Sequence, residues 1–173
     1  IGDNEVIEKQ YDIIYGRLPQ DKNEVVLMID GNNEINEMLL YALGIRNQND
    51  LQSNIMGALS GTEVEKTQES FTYEDICNMK FRLVLNCDYM VKDKKTGLWS
   101  DRSSNLAYVK KLVENGLEIS IVGIIRPDEN NVLSVGTGGI GYMPELMEYA
   151  LEYTANSEVV KEQLKNPEKD VIT

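Results

Sequence analysis

The stretch LEISIVGII, residues 117–125, is the strongest strand in this chain. It is apolar and rich in β-branched side chains, with Gly116 before it and the turn-forming RPDENN after it. Whatever else forms must build around it. Other strands cluster: Tyr11 to Tyr15, then EVVLMID, then KFRLVLNCDYMVKD, where Phe81, Leu83, Leu85 and Cys87 alternate with Arg82, Val84 and Asn86. KKTG predicts a turn from which LWSDR pairs back as a hairpin. This order is not a regular strand–helix alternation. It predicts an α+β fold with a mixed or antiparallel sheet, hairpins and several packed helices.

Four helices are predicted around these strands. EINEMLLYALG places Ile35, Met38, Leu39, Ala42 and Leu43 on one face, and Gly44 sits where a terminating glycine belongs. After Ser103 or Ser104 as cap, Leu106, Val109, Leu112 and Val113 make a stripe that Gly116 ends. Pro144 suits the first turn of PELMEYALEYTA. SEVVKEQLK stops before Pro167. A serine and acidic residues in SFTYEDICNM suggest a further short helix start, and residues 46–70 read as an irregular excursion.

Composition excludes several functions. The chain has 173 residues, enough for one domain with a real core. With 29 acidic against 17 basic residues its net charge is −12, which repels phosphate backbones and anionic lipids but tolerates cationic partners such as basic peptides. Nucleic-acid binding is therefore not expected. Histidine is absent, which removes the commonest general base and the commonest metal ligand. Cys77 and Cys87 read as free thiols or as one short-loop disulfide, and two thiolates without His fall short of a zinc shell. No stretch approaches the ~20 apolar residues of a membrane span, and no signal peptide is visible. Opening at Ile1 and closing on EKDVIT, the chain reads as a processed or excised piece, and an isolated monomer is expected.

VLSVGTGGIGYM carries G-x-G-x-x-G in Gly136, Gly138 and Gly141. A dinucleotide fingerprint needs a strand closing on the first glycine, a helix opening at the last, and an acidic residue ending a second strand about 20 residues on. Here RPDENNVL separates strand from glycines, and Glu158 falls in a helical pattern. The expectation is a mobile, irregular glycine connection with no phosphate or other cofactor bound. Ser134 lacks the first glycine of a nucleophile elbow. Asp128 with Glu129, and Asp30 with Glu34, lack calcium-loop spacing and read as surface turns. Trp99, the sole Trp, reads as a packing residue more than a ligand platform. Nine Tyr against two Phe is a bias toward amphipathic aromatic positions, as at wet edges or a binding surface. These residues predict no catalytic, metal or cofactor site.

Three ordered blocks carry a resemblance: YGRLPQDKNEVVLMID with its helix ending ALG; FRLVLNCDYMVKDKKTGLWSD; and LEISIVGIIRP with GYMPELMEYAL and SEVVKEQLKNPEKDVIT. Together they resemble the large extracytoplasmic region of FtsX/MacB-type ABC transporter permeases, in the long form of Gram-positive bacteria. The resemblance implies one α+β domain over residues 1–173, similar to part of a MacB-like periplasmic core, with an inserted hairpin and helix region over about residues 46–116. It implies a place outside the cell membrane, between transmembrane helices of the same parent chain. It implies no enzymatic activity, because a separate cytoplasmic ATPase subunit supplies the energy. The implied role is to couple that motion to efflux, lipoprotein handling or control of a wall hydrolase, through an extracellular protein or peptide. The insertion departs from shorter members, and no family functional residue carries over to a numbered position. Two other readings follow from the residues: a secreted or surface-anchored module binding peptide or carbohydrate, suggested by Trp99 and the tyrosines, and a small enzyme working through carboxylates.

Overall fold

The computed structural model describes residues 10–46, 70–128 and 138–172. The expected excursion over residues 46–70 lies almost wholly outside them. In chain order the elements are β1 (Tyr11–Gly16), β2 (Glu24–Met28), α1 (Glu37–Ala42), α2 (Tyr73–Asn78), β3 (Lys80–Leu83), a 3-10 turn (Asn86–Tyr89), β4 (Met90–Lys92), β5 (Trp99–Asp101), α3 (Leu106–Asn115), β6 (Leu117–Pro127), β7 (Gly139–Tyr142), α4 (Pro144–Asn156) and α5 (Glu158–Lys165). The fold is α+β with a mixed sheet, as the order of elements predicts. Among the described residues no helix is long and apolar enough to cross a membrane.

The chain divides into two compact units. The first comprises Ile1–Gln20, Glu24–Met79 and Ser120–Tyr142, and the second Asp21–Asn23, Lys80–Ile119 and Met143–Thr173.

In the first unit the strand order is β1-β6-β2-β7. β6 runs antiparallel to β1 and parallel to β2, and β2 runs antiparallel to β7. β2 has a strand on each side and buries Val25, Val26 and Leu27 in succession. That is the continuous apolar run of a strand covered on both faces, with no alternation to lose. β6 does the same with Ile124 and Ile125. Each such side chain contributes about 1.5–3 kcal/mol by leaving water. Leu18, Ile29, Leu40, Tyr41, Ile76 and Ile121 are buried with them.

α1 corrects the predicted helix face. Leu40 and Tyr41 are buried, whereas Met38 is 61% exposed. The helix is six residues long and starts only at Glu37, after Asn36 accepts from the Met38 amide at 2.9 Å. So short a segment does not fix its own phase, and Tyr41 buries a ring that an apolar count leaves out. The expected stop at Gly44 is present: its amide bonds the Tyr41 carbonyl at 3.0 Å and Ile45 bonds Leu40 at 2.9 Å.

α2 starts at Tyr73 and is capped by Thr72 rather than by the serine. Thr72 and Asp75 form a reciprocal cap, with the Asp75 amide donating to the Thr72 hydroxyl at 3.1 Å.

In the second unit, the single strand expected over KFRLVLNCDYMVKD is two strands, β3 and β4, separated by the 3-10 turn. Asp88 causes the break: its Oδ2 accepts from the Leu85 amide at 2.9 Å, which closes a turn in place of a ladder bond. The β4–β5 hairpin forms as predicted, Met90 facing Asp101 and Lys92 facing Trp99. α3 is capped by Asn105, which accepts from the Tyr108 amide at 3.1 Å, and not by Ser103 or Ser104. Its predicted stripe is narrower than expected, because Leu106 is 84% exposed. β3 pairs with β6. Pro144 opens α4 as predicted, and α5 occupies the last helical pattern.

Candidate functional site

The G-x-G-x-x-G residues fall at β7. Gly136 lies outside the described residues, as do Ser134 and Glu129. Gly138 has φ +84°, the positive value for which glycine was read. A Cβ there would stand 2.9 Å from Asn36 Cβ. The next four residues correct the expected irregular connection: Gly139–Tyr142 are a strand, and Gly141 sits opposite Val26. A dinucleotide fingerprint would open a helix at that glycine.

The acidic pair Asp30 and Glu34 makes a turn. Asp30 Oδ1 accepts from the Asn32 amide at 2.9 Å and from the Glu34 amide at 2.7 Å. Cys77 and Cys87 are free thiols, and burial pushes Cys77 up from its ordinary value. Among the described residues no three Cys, Asp or Glu side chains gather to hold a metal. Trp99 packs with Val159 and Val171, and its indole N–H donates to Glu162 at 2.9 Å. It is a packing residue, as read. Beside it, Lys92, Lys161, Glu162 and Lys165 line an open concavity of about 500 Å³. Lys92 bonds Glu162 at 2.6 Å there, and Glu158, Lys161, Glu162 and Lys165 interleave on α5 as solvated helix-face charges.

The more selective feature of the second unit is a tyrosine-lined cleft of about 120 Å³. Tyr149 and Tyr153 stand one turn apart on α4, with ring centroids 5.8 Å apart and planes tilted by 39°. The Tyr153 hydroxyl donates to Asp88 Oδ1 at 2.9 Å. Tyr108, from α3, donates to the Asp88 carbonyl oxygen, also at 2.9 Å. Asp88 is thus fixed at both carboxylate oxygens and at its carbonyl. Leu83, Leu85, Leu112 and Leu117 supply the apolar wall. Gly116 closes the corner from α3 to β6, where a Cβ would come within 2.6 Å of the Leu83 carbonyl oxygen. Gly116 ends the helix as the sequence predicts, at a close backbone approach and without positive φ.

Two charges act on the tyrosines. Lys22 Nζ lies 4.6 Å above the Tyr149 ring. The hydrogen bond to Asp88, then partial burial and the Asp88 charge, push the Tyr153 phenol up to about 12. At neutral pH Tyr153 is a fixed neutral donor, suited to holding and orienting a group and not to attacking one. Sequence reading noted the tyrosine excess but did not gather Asp88, Tyr149, Tyr153 and Lys22. The i, i+4 spacing of the two tyrosines was the available signal; Asp88 comes from a turn that the strand pattern concealed.

Compared with protein-family models, curated proteins and solved structures, the chain matches none.

Proposed function

We propose that this chain is a non-enzymatic extracytoplasmic domain of an FtsX/MacB-like ABC transporter permease. It couples motion driven by a cytoplasmic ATPase to an event outside the membrane. One observation carries the reading. Two of the stretches that bear the resemblance, YGRLP with NEVVL and IVGIIRP, lock onto each other in the first unit. Gly16 pairs with Gly123, and the Arg17 amide donates to the Val122 carbonyl at 3.0 Å. The Arg17 guanidinium then forks onto the Glu24 carboxylate, with one arm at 2.7 Å. The G-R and E-V-V-L segments and the V-G-I segment are therefore one structural device, the kind of feature a fold family keeps independently of chemistry.

The test is the parent sequence on both sides of residues 1–173. Apolar spans of about 20 residues should flank it, one before and about three after. A parent with no such spans contradicts the proposal. The tyrosine cleft favours a second reading, a secreted or surface-anchored module that binds peptide. A signal peptide with a single anchor and no multispan region would select it.

A further inference from the structure

We propose that the tyrosine cleft is a subsite for the cationic end of a lysine or arginine side chain on a partner polypeptide. The inference stands on the chemistry of the cleft alone and is independent of the permease reading. Asp88 supplies the anion. Among the described residues it makes no ion pair with a Lys or Arg. Its carboxylate is held by the Leu85 amide and the Tyr153 hydroxyl, each at 2.9 Å, and keeps lone-pair positions for further donors. Tyr149 and Tyr153 supply two electron-rich faces beside it. One of these faces already draws an ammonium, because Lys22 Nζ stands 4.6 Å over Tyr149. That contact is an intramolecular precedent for the ligand.

Size and charge narrow the occupant. About 120 Å³ is well below the roughly 300–1,000 Å³ of pockets that enclose a whole small molecule. It fits one side-chain end group. Leu112 and Leu117 cover an aliphatic stem while the charged head meets Asp88. The net charge of −12 draws cationic partners toward the chain and turns anionic ones away.

The experiment uses isotope-labelled chain and four capped Gly-Ser pentapeptides whose central residue is Arg, Lys, norleucine or Glu. Amide shifts are followed to about ten millimolar peptide. The Arg and Lys peptides should move the amides of Asp88, Tyr149 and Tyr153, with Kd on the order of a millimolar. Asp88→Asn should weaken this at least tenfold, because it removes the charge that the ligand meets. Lys22→Gln, a surface change that leaves Asp88 untouched, should tighten it about twofold or more by removing a competing cation. It keeps the proposal testable if Asp88→Asn fails to fold. Equal binding of the norleucine peptide would mark an apolar pocket and overturn the proposal. So would preference for Glu, shifts scattered away from the cleft, silence from all four peptides, or no tightening in Lys22→Gln.

Discussion

Gly16 and Gly123 face each other across the β1–β6 pair, and neither position has room for a side chain. A Cβ on Gly16 would overlap the Val122 carbonyl oxygen; a Cβ on Gly123 would overlap the Arg17 carbonyl oxygen. Gly16 also has φ +71°. Gly16→Ala and Gly123→Ala should each cost about 2 kcal/mol or more, from backbone displacement and, at Gly16, left-handed strain. The double variant should cost less than the sum, since both force apart the same close approach. Urea unfolding with constant m checks both statements.

The Arg17–Glu24 fork braces the same corner. Glu24 receives Arg17 and also the Gln20 amide at 2.9 Å, and its side chain is 14% exposed against 45% for Arg17. Arg17→Ala leaves the less exposed Glu24 carboxylate, and the Leu18 carbonyl at 3.0 Å, without the guanidinium, whereas Glu24→Ala leaves a half-exposed guanidinium that water can solvate. The expected losses are about 1–2 kcal/mol for Arg17→Ala and less than about 1 kcal/mol for Glu24→Ala. Equal losses would show that the pair acts only as a surface bridge.

Trp99 reports acid stability of the second unit, because the chain has a single Trp. Hydrogen bonds from Lys92 and then Trp99 hold Glu162 below its ordinary 4.5. Asp93 and Asp101 are lowered from 3.8 by backbone amides, of Thr96 and Lys95 for the first and of Ser103 for the second. A depressed carboxylate contributes stability that is present above its unfolded value and lost as pH falls through its folded one. The melting temperature read from Trp99 fluorescence should therefore fall as pH drops below about 4.5. Glu162→Gln should flatten that fall.

At the alkaline end the sign reverses. Tyr153 is raised from 10.0 to about 12, so the stability it contributes is present below 10 and is lost as pH rises toward 12. Ultraviolet titration should show a late phenol from Tyr153. Tyr153→Phe should remove that phase and keep the ring against Tyr149.

The sheet was legible because its signals are local. LEISIVGII, EVVLMID and the KKTG hairpin announce themselves through composition and turn residues, and each forms within a residue or two of its expected bounds. The misreadings come where a polar side chain redirects the backbone. Asp88 converts half of an alternating strand into a turn, and Asn105 displaces two serines as a cap. At Gly139–Tyr142 glycine content suggested a loose connection, but pairing with β2 imposed a strand. The cleft was illegible for a related reason. Its residues come from strands β3 and β6, a turn, helices α3 and α4 and the lysine at Lys22, far apart in sequence, and of Asp88, Tyr149, Tyr153 and Lys22 only the two tyrosines have a spacing that joins them.

The proposed place of this domain is outside the cell, on a permease. It is tested most directly in intact cells that express the full-length parent with Cys77→Ser, Cys87→Ser and Ser104→Cys, the last at an exposed position. A membrane-impermeant maleimide should label the new cysteine without permeabilisation, and the labelled chain should copurify with an ABC ATPase. Labelling that appears only after the membrane is opened would contradict the account.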